Sequence, residues 1–166
     1  ARPGHGKTLL GLQVAAQSVQ AGTTASFFSL EYALSECHEK CVLAGVNPDS
    51  IEFDCSDTIE ADTLVRTLSN RREGSLAVVD YLQLLDQRRE TPPLQEQVRR
   101  LHDFVRETGQ VILVLSQIDR RFLDKKDAVP GLADLRLPNP VDLRLFDQAH
   151  FLHAGKLHSV RPRRES

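Results

Sequence analysis

Five side chains in this 166-residue sequence have the types and the spacing to manage a polyphosphate: Lys7, Thr8, Glu31, Asp80 and Gln117. The first two sit in "ARPGHGKT" (1–8). There Gly4 and Gly6 let the backbone approach an anion closely, Lys7 reaches outer phosphates and Thr8 offers magnesium a hydroxyl. His5 and Leu9 complete the nucleotide-facing stretch, and a helix opening here adds its positive dipole end. The string departs from G-x-x-x-x-G-K-[ST] at its first position, where Ala1 stands in place of glycine. Taken alone, it also reads as a glycine-rich turn before an ordinary helix.

Three further polar residues each end an apolar run: Glu31 after "FFSL", Asp80 after "LAVV" and Gln117 after "VILVLS". Singly, each merely ends a strand or caps a turn. Parallel strands, however, deliver their C-terminal ends to one edge of the sheet, where open α/β sheets collect ligands. At that edge Asp80 and Thr8 would organise magnesium, and Lys7 would neutralise charge developing on the phosphates. Glu31 would orient and deprotonate an attacking water, and Gln117 would sense the γ-phosphate.

The elements that must hold these groups follow from periodicity. Leu9, Leu12, Val14, Ala15, Val19 and Ala21 predict a helix running from the loop to a stop at Gly22. "ASFFSLEY" (25–32) reads as a strand buried on both faces, Ser35 as the cap of a helix through about Leu43, and "IEFDC" (51–55) as a strand. Residues 60–72 predict a helix through Leu64, Val65 and Leu68, with Arg71, Arg72 and Gly74 at its C-terminus. "LAVVDYLQLL" (76–85) predicts a buried strand ending at Asp80, and the prolines of "DQRRETPP" (86–93) make a loop. Leu94, Val98, Leu101 and Val105 predict a helix closed by Gly109, followed by "QVILVLSQ" (110–117), the most hydrophobic strand. Residues 119–130 are charged and aperiodic, which predicts a mobile loop, and "AHFLHAGKLHSV" (149–160) carries a hairpin signal. This alternation predicts an α/β fold with a mostly parallel sheet, helices on both faces and a C-terminal β-hairpin.

Composition narrows the classes. A chain of this length fits one domain, since domains run from about 100 to 200 residues. The net charge of −2 excludes a global basic field, so any polyanion contact is local. Cys37, Cys41 and Cys55 are an odd number of cysteines, which favours reduced thiols, and no apolar run approaches the roughly 20 residues that span a bilayer. The expectation is a soluble cytoplasmic protein. Cys37, His38 and Cys41 have no second ligand pair at zinc spacing, and His150 and His153 alternate across a strand, so magnesium is the one metal expected.

"ARPGHGKT", "FFSLE", "VVDYLQLL" and "VLSQIDR", in this order, resemble the motifs of the DnaB-type replicative helicase motor domain within the RecA-like P-loop ATPases. The similarity covers roughly residues 1–120 and extends more weakly to "LADLR" (132–136); the leading "ARP" is itself similar to the family's. The resemblance implies a three-layer RecA-like sandwich, ATP and Mg2+ as cofactors, and hydrolysis coupled to movement along DNA. By it, Lys7 and Thr8 match the phosphate and magnesium positions, Glu31 the catalytic glutamate, Asp80 the magnesium-site aspartate and Gln117 the coupling glutamine. The chain departs from the family in a shorter segment between Glu31 and Asp80, and in "RLPNPVDLRLFDQAHFLH" (136–153) before the last strands. The family's primase-binding domain and its strand before the phosphate loop lie outside the sequence, so that strand is expected upstream of Ala1. The expected organisation is an ATPase domain over 1–160 and a basic tail over 161–166.

Family motors touch single-stranded DNA through loops after the magnesium strand and the sensor strand. The matching loops here offer Arg88, Arg89, Arg120, Arg121, Lys125 and Lys126, with Phe122 as the aromatic for base stacking. A solvated surface would carry such charges too. The family also works as rings, in which Arg161, Arg163 or Arg164 would complete a neighbour's ATP site. Two alternatives stand beside the DNA motor: a KaiC-like nucleotide switch that recruits protein partners without unwinding, and a folded scaffold without catalysis.

Overall fold

The computed structural model describes residues 6–85, 91–119, 122, 129–137, 139–153 and 155–162. Four parallel strands form the main sheet: β1 (Ala25–Ser29), β2 (Glu52–Asp54), β3 (Leu76–Asp80) and β4 (Val111–Val114), in the order β2-β1-β3-β4. Four helices connect and cover them: α1 (Lys7–Gln20), α2 (Leu34–Ala44), α3 (Ala61–Leu68) and α4 (Leu94–Thr108). An antiparallel pair, β5 (Ala149–His153) and β6 (Lys156–Val160), forms the expected hairpin.

β1 and β3 are buried along their whole lengths, as strands between two helical layers must be. Alternate side chains feed opposite cores, as the two-residue period of a strand requires. Phe28, Ala77 and Val79 pack with Leu64, Leu68, Leu101 and Phe104 of α3 and α4. Phe27, Leu76 and Val78 pack with Leu12 and Ala15 of α1 and Cys41 of α2. Each fully buried leucine in these clusters contributes about 2 kcal/mol by removal from water. Gly11 lets α1 lie close on the sheet, since a Cβ there would come within 3.0 Å of Leu115 Cδ1 and 3.2 Å of Val78 Cγ1.

Several boundaries differ from the sequence expectation. β1 stops at Ser29, which places Glu31 and Tyr32 in the turn beyond the strand. Ser35 lies inside α2, whose N-terminus is capped at Ala33; the Glu36 carboxylate reaches back to accept from the Ala33 N–H at 2.9 Å. α3 ends at Leu68; beyond it Arg71 pairs with Glu52 and Arg72 donates to the Gly22 carbonyl at 3.2 Å. Among the described residues β4, for all its hydrophobicity, stands at the end of the strand order, with Val111 52% exposed. Its outer side, α4 and Leu145–His150 line a groove of about 340 Å3 that includes none of Lys7, Glu31, Asp80 or Gln117.

Two buried glutamines brace the irregular segments. Gln97 accepts from the Ala61 N–H at 3.0 Å and donates to the carbonyls of Leu85 and Pro92, each at 2.8 Å. Gln83 lies in the 3-10 turn Leu82–Leu84 directly after β3, and is 4% exposed. Phe122, Ile118 and Phe151 form a third, small core against the hairpin. Phe122 is 2% exposed and packs edge-on to His153, which corrects its assignment as a base-stacking surface. Among the described residues no helix is long and apolar enough to cross a membrane.

Candidate functional site

The site begins where Gly6 takes a left-handed conformation (φ 79°) and α1 starts at Lys7. A β-carbon is disfavoured there, so glycine is the residue that lets the chain enter the helix at this angle. Gly6, the N-cap, has no side chain with which to cap α1, and the N–H groups of a helix's first turn are suited to an anion. Leu9 lies in this first turn; Gly4 and His5 fall outside the described residues.

The sheet carries Asp80 to the same place. β3 runs between β1 and β4 and ends on this carboxylate, which is 0% exposed. Lys7 Nζ donates to Asp80 Oδ1 at 2.8 Å, and Thr8 Oγ1 donates to Asp80 Oδ2 at 2.6 Å. Lys7 Nζ also reaches Glu31 Oε2 at 3.1 Å and lies 4.8 Å from the centre of the Tyr81 ring. Burial pulls the Lys7 pKa down. The Asp80 charge and hydrogen bond, reinforced by Glu31, outweigh burial and leave it above its ordinary value, so the side chain is a firm ammonium.

Glu31 is aimed by the turn that follows β1. The Leu30 N–H donates to the Asp80 carbonyl at 2.8 Å, which staples this turn to the end of β3. Ser29 Oγ accepts from the Tyr32 N–H at 2.9 Å, and the Tyr32 hydroxyl donates to Glu31 Oε1 at 3.1 Å. Burial, then the neighbouring Glu31 charge, pushes the Tyr32 phenol up to about 12, so it remains a donor at neutral pH. The Glu31 side chain is 30% exposed, so water reaches it.

Lys7, Thr8, Glu31 and Asp80 therefore form one hydrogen-bonded cluster. Gln117 stands apart from it among the described residues: its Oε1 accepts from Arg136 Nη1 at 3.4 Å and its main chain is held by Gln83. Sequence reasoning missed Tyr32, Ser29, Tyr81 and Gln83. The first and third directly follow Glu31 and Asp80, which was the available signal; Ser29 and Gln83 are ordinary polar residues until the turns that use them are known. The six cationic candidates Arg88, Arg89, Arg120, Arg121, Lys125 and Lys126 lie outside the described residues, as do Arg163 and Arg164.

This donor set fits a magnesium nucleotide. Magnesium favours hard oxygen ligands and is commonly held by one or two carboxylates together with substrate phosphates. Asp80 and Thr8 offer such oxygens, beside an ammonium and a helix N-terminus suited to phosphate. Among the described residues no group of three or more His, Cys, Asp or Glu side chains is arranged to hold a metal by itself.

Comparison with known proteins identifies the family and the fold. Residues 50–142 match the family described as DnaB-like helicase C terminal domain. The replicative DNA helicase DnaB of Mycoplasma pneumoniae is 27% identical over 199 residues, covering 94% of this chain and 42% of the relative. The chain thus spans less than half the length of that helicase. Among solved structures, an ATPase domain superposes with a TM-score of 0.63 at 21% identity, covering 81% of this chain and 61% of that one. A DnaB-like replicative helicase, described with its interactions with primase, gives 0.62 at 24% identity, covering 81% and 41%. The fold is accordingly the RecA-like α/β fold of DnaB-type ATPase domains, and the chain belongs to the DnaB-like helicase C-terminal domain family.

Proposed function

We propose that this chain is the ATP-hydrolysing motor of a DnaB-type helicase and that it acts on single-stranded DNA as part of a ring of like subunits. The observation that carries the reading is the convergence of Lys7, Thr8, Glu31 and Asp80 at the start of α1.

The residues divide the work by chemistry. Lys7, an ammonium held between two carboxylates, exchanges them for the outer phosphate oxygens and neutralises charge that builds there during transfer. First-turn N–H groups of α1, Leu9 among them, hold the phosphates together with Gly4, His5 and Gly6. Thr8 and Asp80 would hold Mg2+, which when bound supplies charge neutralisation on the phosphate oxygens. Glu31 accepts a proton from the attacking water as its oxygen bonds to the γ-phosphorus and the bond to the leaving diphosphate breaks. Its link to Tyr32 orients the carboxylate for that task. Gln117 reads the γ-phosphate and passes its state to the loops on either side. Arg88, Arg89, Arg120, Arg121, Lys125 and Lys126 contact the DNA backbone, and a basic residue of the 161–164 segment completes the neighbouring subunit's site.

ATP turnover measured with and without single-stranded DNA tests the reading. Wild type is expected to hydrolyse ATP faster with DNA, with a stimulation that fades as salt rises. Lys7→Ala is expected to abolish nucleotide binding, and Glu31→Gln to bind ATP and lose turnover. Equal turnover with and without DNA across low and moderate salt refutes the DNA motor, and ATP-dependent capture of a protein partner in that case supports the switch. Undiminished turnover in Glu31→Gln removes Glu31 from its role.

A further inference from the structure

A buried side-chain amide has to satisfy its donors and acceptor inside the fold, and Gln83 does so on one neighbouring residue and its surroundings. Gln83 follows Asp80 by three residues and reaches across to the segment after β4. Its Nε2 donates to Ser116 Oγ at 2.7 Å, to the Gln117 carbonyl at 3.4 Å and to the Arg136 carbonyl; its Oε1 accepts from the Gln117 N–H at 3.5 Å. A single amide thereby engages both main-chain groups of Gln117, as a neighbouring strand would.

The contact is embedded on both sides. Before it, the Leu82 N–H donates to the Leu115 carbonyl at 2.8 Å. After it, the Arg136 N–H donates to the Gln117 carbonyl at 3.0 Å, and Ile118 bridges Leu135 antiparallel. At the outer end, the Gln117 side-chain oxygen rests on Arg136. The turn leaving Asp80, the segment carrying Gln117 and the 132–136 stretch therefore meet on one buried amide.

We infer that Gln83 is a positioning residue: it locks the Gln117 main chain to the turn leaving Asp80, so that the sensing amide keeps a fixed relation to the carboxylate at the sheet edge. This rests on the reading of Gln117 as the γ-phosphate sensor. Gln83 touches no reacting atom and acts through Gln117. Without it, the segment keeps its bonds to Arg136 and, two residues earlier, those of Leu115 to Leu82 and Val79, while Gln117 itself loses its hold on the turn after β3; a misplacement near 1 Å at a catalytic group costs about a hundredfold.

The test compares the full chain with Gln83→Met, Gln83→Glu, Gln117→Ala and the Gln83→Met/Gln117→Ala double variant in kcat, KM, nucleotide Kd and melting temperature. Gln83→Met is expected to lower kcat by about tenfold to a hundredfold while nucleotide Kd stays within about twofold. The double variant is expected to be no slower than Gln117→Ala, since the two residues act as one unit. Gln83→Glu keeps an acceptor for the Gln117 N–H but sets a carboxylate against the Gln117 and Arg136 carbonyls, so its kcat is expected to fall at least as far as that of Gln83→Met; it serves as the readout where Gln83→Met does not fold. Additive losses in the double variant, or a wild-type kcat in Gln83→Met, overturn the inference.

Amide hydrogen exchange separates this from the motor proposal. Gln83→Met, or Gln83→Glu in its place, is expected to raise exchange at Gln117 while leaving the amides of β3 unchanged, whether or not the chain turns over ATP. Absent turnover in wild type refutes the functional proposal. Unchanged exchange at Gln117 refutes the positioning role.

Discussion

The C-terminal ends of β3 and β4 are neighbours in the sheet, yet their polar residues are held by different means. Asp80 is the last residue of its strand, fully buried, and fixed by direct contacts of 2.8 and 2.6 Å to Lys7 and Thr8. Gln117 lies three residues past its strand and is held through its main chain, with a 3.4 Å contact from its side chain to an exposed arginine. Charge-assisted hydrogen bonds in a dry setting are short and strong, whereas neutral amide contacts are weaker and yield more readily. An anchor for phosphate and metal benefits from the first arrangement. The sensing role proposed for Gln117, which would require it to register a phosphate and turn, benefits from the second.

The comparison is broken most directly by neutralising each end in turn. Asp80→Asn preserves shape and removes the charge that holds Lys7 and would hold magnesium. Its turnover is expected to fall on the order of a thousandfold, the upper range for loss of one preorganised electrostatic group. Gln117→Ala is expected to fall by about tenfold to a hundredfold, because a neutral amide contributes less. Single-turnover rates with saturating ATP measure both, and equal losses would erase the distinction between anchor and sensor.

Stability gives a second contrast. Lys7→Met leaves the Asp80 carboxylate buried with, among the described residues, the Thr8 hydroxyl as its side-chain partner, and removal of one partner of a buried pair costs about 3 kcal/mol. Gln117→Ala is expected to cost less than about 1 kcal/mol, the scale of a lost exposed contact. Urea unfolding measures both. The sign with pH follows from Lys7, whose folded pKa lies above 10.5. The stability it contributes is complete below the unfolded value and is lost as pH rises through the folded one. The gap between wild type and Lys7→Met is therefore expected to be constant to about pH 10 and to narrow above it. A gap that persists into stronger alkali would mean that the Lys7 charge is not what stabilises Asp80.

Much of the setting of Asp80 was legible in the sequence and much of the setting of Gln117 was not. Asp80 ends a run of buried β-branched and aliphatic residues, so strand periodicity and the parallel rule together put it beside Lys7 and Thr8. Glu31 was brought to the same edge by that logic, although the strand itself ends two residues earlier. Gln117 followed an equally clear apolar run, but its surroundings depend on Gln83 and on 132–136, whose roles arise from irregular turns with no period to read. The same holds for Gln97, a polar residue at a core position of α4, whose partners at Ala61, Leu85 and Pro92 are distant in sequence. Ser35 was misread because it precedes an apolar-periodic stretch, while Glu36 capped the helix from one residue further on.

The smallest expected effect lies between the two ends, at Tyr32. Its phenol donates to Glu31, and it is one of two tyrosines in the chain. Phe in its place keeps the ring and removes one hydrogen bond to a carboxylate that water already reaches, so turnover is expected to fall by no more than about fivefold. The ionisation itself is the sharper readout. Burial and the Glu31 charge raise the folded phenol to about 12, while an unfolded tyrosine titrates near its ordinary value of 10.0. Between those values the unfolded chain has lost a proton that the folded chain keeps, so the phenol's contribution to stability declines as pH rises through this window. The phenolate absorbance of wild type minus that of Tyr32→Phe reports this group alone. A midpoint near 12 fits a phenol pressed against Glu31. A midpoint near 10 would detach Tyr32 from the carboxylate and return Glu31 to the control of Lys7 alone, making its orientation depend on the anchor.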